Sequence, residues 1–563
     1  MIFQDIIHDV VSLCRNYPEI LIFLSLAIGY YVGKIKVFGF SLGATASVLL
    51  AAILLGQMDV AVTPLIKTIA FGLFIFTIGY KVGPQFFSGL KKEGLNYIIL
   101  SIFFAIIGLI TAIWFGKLFG FDKGTTAGLL SGALTQSSVI GTAEGAIRNL
   151  SISAAQKTIL TSNIAVAYAI TYVFGVAGLI FFYRLVPKLL KIDLKGEAKQ
   201  IEAELSGIKE TQLSSDSFQW NMRPTIRVYR AVSKDLEGKK ISDVETLFLN
   251  KVSVEKIKRG NQILEPTPDK RIYVGDLLLI IGERENIIGA NHMIGPEVQD
   301  PILDSITPEM LRICVTKSIV TGKKLGEIHP YCKNCFVNKI TRLGHELPLQ
   351  KNTVIQKCDI LYVIGLQSNV EKFAKAIGYI KRKTKITDLA MVGFGCFLGT
   401  LLGLATVKLG IVPLTLGVGG GVLLSGLFFG WLRFVHPTFG QFPDGAQWVL
   451  SDLGLNLFIA CVGLTAGPRA VYALQIHGAK LFFAGAGLTL IPHILSMIFG
   501  YFVLKLNPVL LFGALTGAGT ATPSLNVLKD ECDSSAPALG YSVPYALGNF
   551  ILTIWGAVII NFM

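Results

Sequence analysis

KGTTAGLLSGALTQSSVIGTAEGAI (123–147) and NPVLLFGALTGAGTATPSL (507–525) are apolar enough to enter a bilayer, yet too rich in Gly, Ser, Thr and Pro for plain spanning helices. Thr135, Gln136, Ser137 and Ser138 sit in the middle of the first stretch. Thr516, Gly517, Gly519, Thr520, Thr522, Pro523 and Ser524 break the second. Non-helical backbone at membrane depth survives only where it is buried in protein or lines a cavity. Both stretches therefore read as re-entrant hairpins.

Outward from them, apolar runs fall into two blocks. The first spans about 19–187, with runs near 20–33, 40–57, 64–83, 96–117, 125–146 and 158–183. The second spans about 386–563, with runs near 388–407, 412–432, 446–467, 479–503, 508–526 and 540–562. Most are long enough to span, since about 20 helical residues cross about 30 Å of hydrocarbon. The blocks repeat one another. SLGATASVLLAAILLG (41–56) matches TLGVGGGVLLSGLFFG (415–430), and FIFTIGYKVGP (74–84) matches FIACVGLTAGP (458–468). GALT (132–135) recurs at 513–516, and VAYAI (166–170) recurs as VPYAL (543–547). One such match can arise by chance in biased apolar sequence; four in the same order cannot.

Duplicated membrane blocks are the plan of secondary transporters. Six crossings per block would make the repeats parallel, and five plus a hairpin make them inverted. The Lys/Arg content of the short loops fits both. The Gly- and Pro-broken composition of the hairpins favours the second. The expected fold is an α-helical polytopic membrane protein. It has two inverted repeats, each of about five spanning helices plus a re-entrant hairpin.

Composition agrees. Of 563 residues, 52% are hydrophobic and only 16% charged, with mean hydropathy +0.59. A soluble protein carries roughly a quarter charged residues, so a purely soluble enzyme is excluded. The net charge of +14 reads as cytoplasmic loops holding Lys and Arg, not as a nucleic-acid surface. Residues 1–18 lack a positively charged start and a cleavage site, and read as an interfacial amphipathic helix. Membrane repeat 1 follows at 19–190, a polar linker with helical potential at 191–222, and membrane repeat 2 at 381–563.

The middle is soluble in character and is itself duplicated, as modules at 223–298 and 299–380. IRVYRAV (226–232), VSVEKIKRG (252–260) and GDLLLIIG (275–282) have counterparts in LRICVTK (311–317), CFVNKITRLG (335–344) and CDILYVIG (358–365). Alternating apolar residues predict short strands with one helix per unit. Flanking Arg184, Lys188, Lys191, Lys381, Arg382, Lys383 and Lys385 put these two small α+β modules in the cytoplasm.

Other motifs carry less chemistry. GVGGGV (417–422) has no strand before it, so it reads as close helix packing rather than a dinucleotide loop. Cys332 and Cys335 form a lone CxxC, with His329 and Cys358 nearby. Zinc sites usually show two such pairs, so ordinary thiols are expected and no metal or other cofactor. Ionisable Lys81, Asp452 and Arg469 lie in or near spans, where charge is costly and defaults to function. Snorkelling to headgroups is the alternative for Lys81 and Arg469. Tyr168, Tyr545 and Asn549 on the final spans offer uncharged hydrogen-bonding groups, with core packing as the alternative for the tyrosines.

GYKVGPQFFSGLKKEG (79–94), GALTQSSVIGTAEGAI (132–147), AYAITYVFGVAG (167–178), DLGLNLFIACVGLTAGP (452–468) and GALTGAGTATPSL (513–525) together resemble the aspartate:alanine exchanger family. The central modules resemble the C-terminal subdomains of regulators of potassium conductance. The resemblance covers nearly the whole chain. It implies a dimeric bacterial inner-membrane antiporter, exchanging L-aspartate for L-alanine, with cytoplasmic regulatory modules and an unidentified small ligand for them. It also places an arginine where this chain has Lys81, so the charge is kept and the bidentate fork lost. Exchange of another dicarboxylate or amino acid, a ligand-gated channel and a membrane enzyme are the alternative readings.

Overall fold

A computed structural model describes the chain apart from residues 1–8, 10, 36–42, 90–94, 207–224, 249–251, 268, 283–286, 288–290, 292, 304–308, 332–334, 343, 366, 382–385, 410–411, 416 and 437–438. Half of the proposed interfacial helix at 1–18 therefore lies outside the described residues. Residues 1–200 with 383–563 form one compact unit, and residues 201–382 another.

In the first unit the apolar runs become helices: α1 (Pro18–Val32), α2 (Gly43–Leu55), α3 (Pro64–Gly89) and α4 (Leu95–Phe119). A broken pair follows, α5 (Lys123–Ala133) and α6 (Ser138–Arg148), then α7 (Ala154–Val173). A π-helical turn at Phe174–Gly178 joins α7 to α8 (Leu179–Leu189), and α9 spans Leu194–Ser206 within the expected helical linker. Asp122 caps α5 by accepting from the Thr125 amide at 2.8 Å, and Ser153 with Gln156 forms a capping box on α7, which satisfies orphan donors. The second membrane block opens with α12 (Leu389–Leu404) and α13 (Gly417–Val435); the helices numbered between belong to the other unit. Then come α14 (Asp444–Ile498), the broken pair α15 (Pro508–Ala518) and α16 (Thr522–Cys532), and α17 (Pro537–Phe562). Six segments among the described residues are long and apolar enough to cross a bilayer: 64–84, 95–119, 154–189, 417–435, 444–503 and 537–562.

Two expectations are corrected. The runs 446–467 and 479–503 are not separate, because α14 continues through both for 55 residues. At 1.5 Å per residue it is roughly 80 Å long. The intervening AVYALQIHGAK is helix-compatible throughout, and Pro468 is accommodated inside the helix. The run 412–432 starts as a strand (Val412–Thr415) paired with Thr406–Leu409, and becomes helix only at Gly417. Gly79 and Gly83 lie inside α3, which runs unbroken past both. A methyl on either would lie 2.5 Å from the Leu423 carbonyl or 2.3 Å from that of Leu427, so they let α3 press against α13. Within 417–422 Gly421 serves the same purpose, since a methyl on it would lie 2.2 Å from the Gly399 carbonyl of α12.

The broken pairs turn back on themselves. A methyl on Gly128 would lie 2.3 Å from the Ile164 carbonyl, and one on Gly132 2.6 Å from that of Tyr168. The two sequences advance in step, so α5 and α7 run in the same direction. Residues 149–153 join the end of α6 to the start of α7, so α6 ends on the side where α5 began. In the second block a methyl on Gly513 would lie 2.0 Å from the Pro537 carbonyl, and one on Gly517 2.4 Å from that of Tyr541. Residues 533–536 there close the same return.

The other unit holds two modules that share the order of four strands, the second adding a fifth strand at its edge. Strands β1 (Thr225–Arg230), β2 (Val252–Arg259), β3 (Gln262–Leu264) and β4 (Leu277–Gly282) form a sheet in the order β1-β4-β2-β3, with helix α10 at Ile241–Leu247. Strands β5 (Glu309–Val315), β6 (Cys335–Arg342), β7 (His345–Glu346), β8 (Ile360–Gly365) and β9 (Gly378–Ile380) follow β7-β6-β8-β5-β9, with α11 at Gln367–Ile377. The modules share one polar joint. Arg259 donates twice to Asp276 and once to the Arg271 carbonyl; Arg342 does the same to Asp359 and Val354. Cys335 is disulfide-bonded rather than a free thiol, whereas the other six described cysteines are free. Cys332 lies outside the described residues.

Candidate functional site

The turns of the two hairpins meet. Thr520 Oγ1 donates to Gln136 Oε1 at 3.3 Å and to the Leu134 carbonyl at 3.4 Å. Gln136 Nε2 in turn donates to the Asn549 carbonyl and to Thr553 Oγ1, both at 3.2 Å. Ser138 Oγ lies 2.5 Å from Thr553 Oγ1, and Ser137 Oγ 2.7 Å from the phenol of Tyr168. In the second hairpin Thr522 Oγ1 lies 2.8 Å from the phenol of Tyr541. The network is buried: Gln136 is 5% exposed.

Both turns carry a threonine in the left-handed region, Thr135 at φ 53° and Thr520 at φ 54°. A β-branched residue there is strained, and such strain persists where surrounding structure enforces it, often at functional sites. Each threonine follows an 11-residue first arm and precedes an 11-residue second arm. Neither second arm, α6 nor α16, has a side-chain cap on its N-terminus. Within those first turns the amides of Val139 and Ile140 donate to the Gln136 and Ser137 carbonyls. Those of Thr522, Ser524 and Leu525 donate to the Thr520 and Ala521 carbonyls, and Pro523 has no N–H. What the two helices direct at the turns is therefore the positive end of their dipoles, which suits a carboxylate.

This geometry changes the repeat register. The GALT match pairs Thr135 with Thr516, but the structure pairs Thr135 with Thr520. Thr516 lies inside α15 and donates to the Gly513 carbonyl at 2.7 Å. The VAYAI match pairs Tyr168 with Tyr545, but Tyr168 corresponds to Tyr541, since these two hold Ser137 and Thr522. Each is followed by a second tyrosine against its ring, Tyr172 at 5.2 Å and Tyr545 at 5.0 Å between centroids. Both sequence matches are one helical turn out.

Of the other residues singled out, Asn549 joins the network, donating from its side chain to the Tyr545 carbonyl at 2.8 Å. Gly517 admits the backbone of α17, and a methyl on Gly519 would lie 2.9 Å from His493 Nε2. Ser524 is buried and Pro523 exposed. Lys81 and Arg469 are exposed and join none of these hydrogen bonds. Asp452 accepts a 2.5 Å hydrogen bond from the phenol of Tyr30 on α1, which Asn456 also contacts; its role there ties α14 to α1.

Sequence reasoning missed several residues. Thr553 is the hub of the first turn, and its only signal is its place one helical turn beyond Asn549. His493 lies behind the second turn, with Nδ1 2.7 Å from the Thr489 carbonyl and a buried Nε2 without a hydrogen-bond partner among the described residues. Lys67 and Glu144 form an ion pair, Nζ to the two oxygens at 2.9 and 3.0 Å, with side chains 12% and 3% exposed. Glu144 was legible as an acid within an apolar stretch. Among the described residues no group of three or more His, Cys, Asp or Glu is placed to hold a metal.

A family model described as a predicted permease membrane region matches residues 21–188 and 391–561, and one for the TrkA-C domain matches 227–294. Proteins named uncharacterized transporters are similar along their whole length. One from Bordetella parapertussis is 36% identical, with 98% of each chain covered. One from Bradyrhizobium diazoefficiens is 38% identical, covering 96% of this chain and 97% of its own. One from Shewanella oneidensis is 36% identical, covering 97% and 98%. No solved structure matches.

Proposed function

Since the chain belongs to the predicted permease family of aspartate:alanine exchanger type, we propose that it is a secondary antiporter exchanging L-aspartate for L-alanine. The family match, the relatives and the six long apolar helices support a multi-pass membrane transporter. The observation that carries the finer reading is the meeting of two uncapped helix N-termini at the strained turns of Thr135 and Thr520. Helix N-termini of broken helices hold anionic substrate groups in secondary transporters. Gln136, Ser137, Ser138 and Thr520 then supply the hydrogen bonds that orient the substrate, and the two repeats, inverted with respect to one another, alternate access around it. The central modules regulate from the cytoplasmic side of the bacterial inner membrane, and the working unit is a homodimer. No cofactor takes part.

Aspartate carries one net negative charge near neutral pH and alanine none, so each exchange moves one charge. A membrane potential then biases the reaction by about 2.3 kcal/mol per 100 mV. The test is radiolabelled aspartate uptake into proteoliposomes preloaded with alanine, glutamate, malate or buffer, at imposed potentials. The expected result is uptake that needs internal alanine and follows the potential. Uptake without a counter-substrate, or potential-independent exchange of aspartate for alanine, overturns the reading.

A further inference from the structure

The Lys67–Glu144 pair borders a cavity of about 630 Å³ beside the second arm of the first hairpin, within the usual range for small-ligand sites. The charged groups among its described lining residues are Lys67, Glu144 and Arg148. Glu144 and Arg148 are four apart on α6 and so share one face. Arg148 uses one N–H, at 3.0 Å, on Thr68 Oγ1. Its guanidinium has five donors, which leaves a fork for a carboxylate. Gly145 between them faces open space, because a methyl built there meets nothing within 4 Å.

We propose that this cavity is a second binding site, distinct from the hairpin turns, for an α-amino acid with a side-chain carboxylate. Two cations and one anion line it, a net charge of one positive. An amino dicarboxylate matches each group: its ammonium meets Glu144, one carboxylate Lys67, the other Arg148, and the filled site is neutral. A neutral amino acid leaves Arg148 without an anion. A dicarboxylate lacking the ammonium presses a carboxylate against Glu144. Breaking the buried Lys67–Glu144 pair for a ligand without both charges leaves one of them unpaired, which is costly. The inference rests on the exchange reading only in taking amino acids as ligands, and its test requires no transport.

Gly145→Cys puts a thiol on the cavity wall on a Cβ that meets nothing within 4 Å. Its alkylation by a maleimide in the full-length protein, read at the peptide carrying position 145 by mass spectrometry, reports occupancy of this cavity alone. L-Aspartate is expected to slow labelling at least fivefold, with L-alanine and succinate much less effective. Adding Arg148→Gln should abolish the protection, adding Glu144→Gln should shift it from aspartate towards succinate, and adding Gln136→Ala should leave it intact. Labelling unchanged by aspartate, equal protection by all three compounds, or loss of protection with Gln136→Ala overturns the proposal. Protection that persists in a protein failing the alanine-dependent uptake test sinks the exchange reading and leaves this site standing.

Discussion

Gln136→Ala tests the hairpin turns most directly. The amide makes three hydrogen bonds, to the Asn549 carbonyl, Thr553 Oγ1 and Thr520 Oγ1. All are neutral and 3.2–3.3 Å long, at about 0.5–1.5 kcal/mol each. The two threonines left behind keep other partners: Thr553 Oγ1 donates to the Asn549 carbonyl at 2.6 Å, and Thr520 Oγ1 reaches the Leu134 carbonyl. The stability cost therefore falls near the lower end of the sum, roughly 2 kcal/mol.

If one Nε2 N–H turns from the Asn549 carbonyl or Thr553 Oγ1 to the substrate carboxylate on binding, the variant also loses a charge-assisted bond, about 1.5–3 kcal/mol, or roughly ten- to a hundredfold in KM. The assay is aspartate self-exchange in proteoliposomes, with thermal stability of the same preparation measured alongside. A purely structural amide lowers Tm and active fraction but leaves KM alone. A substrate-binding amide raises KM in the molecules that remain folded. A KM within threefold of wild type would refute the placement of substrate at these turns.

Lys81→Ala should change aspartate and alanine self-exchange by equal, small factors, since the side chain is exposed and outside the turn network; a selective loss of aspartate exchange would restore it to the site. In the second module Arg342→Met should destabilise by about 3–5 kcal/mol, by stranding the carboxylate of the fully buried Asp359. Arg259→Met should cost less, because that arginine is 40% exposed against 5% for Arg342; chemical denaturation of the two variants gives the comparison. Burial pushes the Glu255 carboxyl up from its ordinary 4.5 to about 7, and Ser253 and Glu245 act on it too. Between these values the folded state holds a proton that the unfolded state releases, so module stability falls by roughly 3 kcal/mol as pH rises through that window. Glu255→Gln should flatten the dependence, measured by urea unfolding between pH 4.5 and 8.

Much of this architecture was legible because it is written in periodicity and composition. The hairpins betray themselves through Gly, Pro and hydroxyl residues in apolar surroundings, and the modules through alternation in VSVEKIKRG and CFVNKITRLG. The Arg–Asp joints were not legible. Arg259 and Arg342 stand among ordinary surface-strand residues, and only the pairing of β2 with β4 and of β6 with β8 brings them to Asp276 and Asp359. The continuity of α14 was hidden for a different reason. Two spans joined by a helix-compatible linker have the same local sequence whether the chain turns or carries on. Lys67 and Glu144 come from α3 and α6, far apart in sequence, and their pairing is a tertiary fact.

The register error is the most instructive, because helical sequence repeats its own signals at one-turn spacing. In GALTGAGT (513–520) both GALT and GAGT fit GALT at 132–135, and in YAITY (168–172) and YSVPY (541–545) a single tyrosine aligns equally well with either of two. Identity favours GALT; geometry favours GAGT, because the strained residue must follow the last residue of the first arm. Thr135 and Thr520 meet that requirement and Thr516 does not. The two threonines of the second hairpin should therefore separate on mutation. Thr516→Val removes a hydroxyl bonded within its own helix and keeps the shape, so it should cost under about 1.5 kcal/mol of stability and leave the KM for aspartate unchanged. Thr520→Val keeps the strain and removes the link to Gln136 and Leu134, so it should raise KM at least tenfold. Self-exchange kinetics of both variants decide between the alignments. A KM effect confined to Thr516→Val would mean that identity marked the functional position and that the shared backbone strain did not.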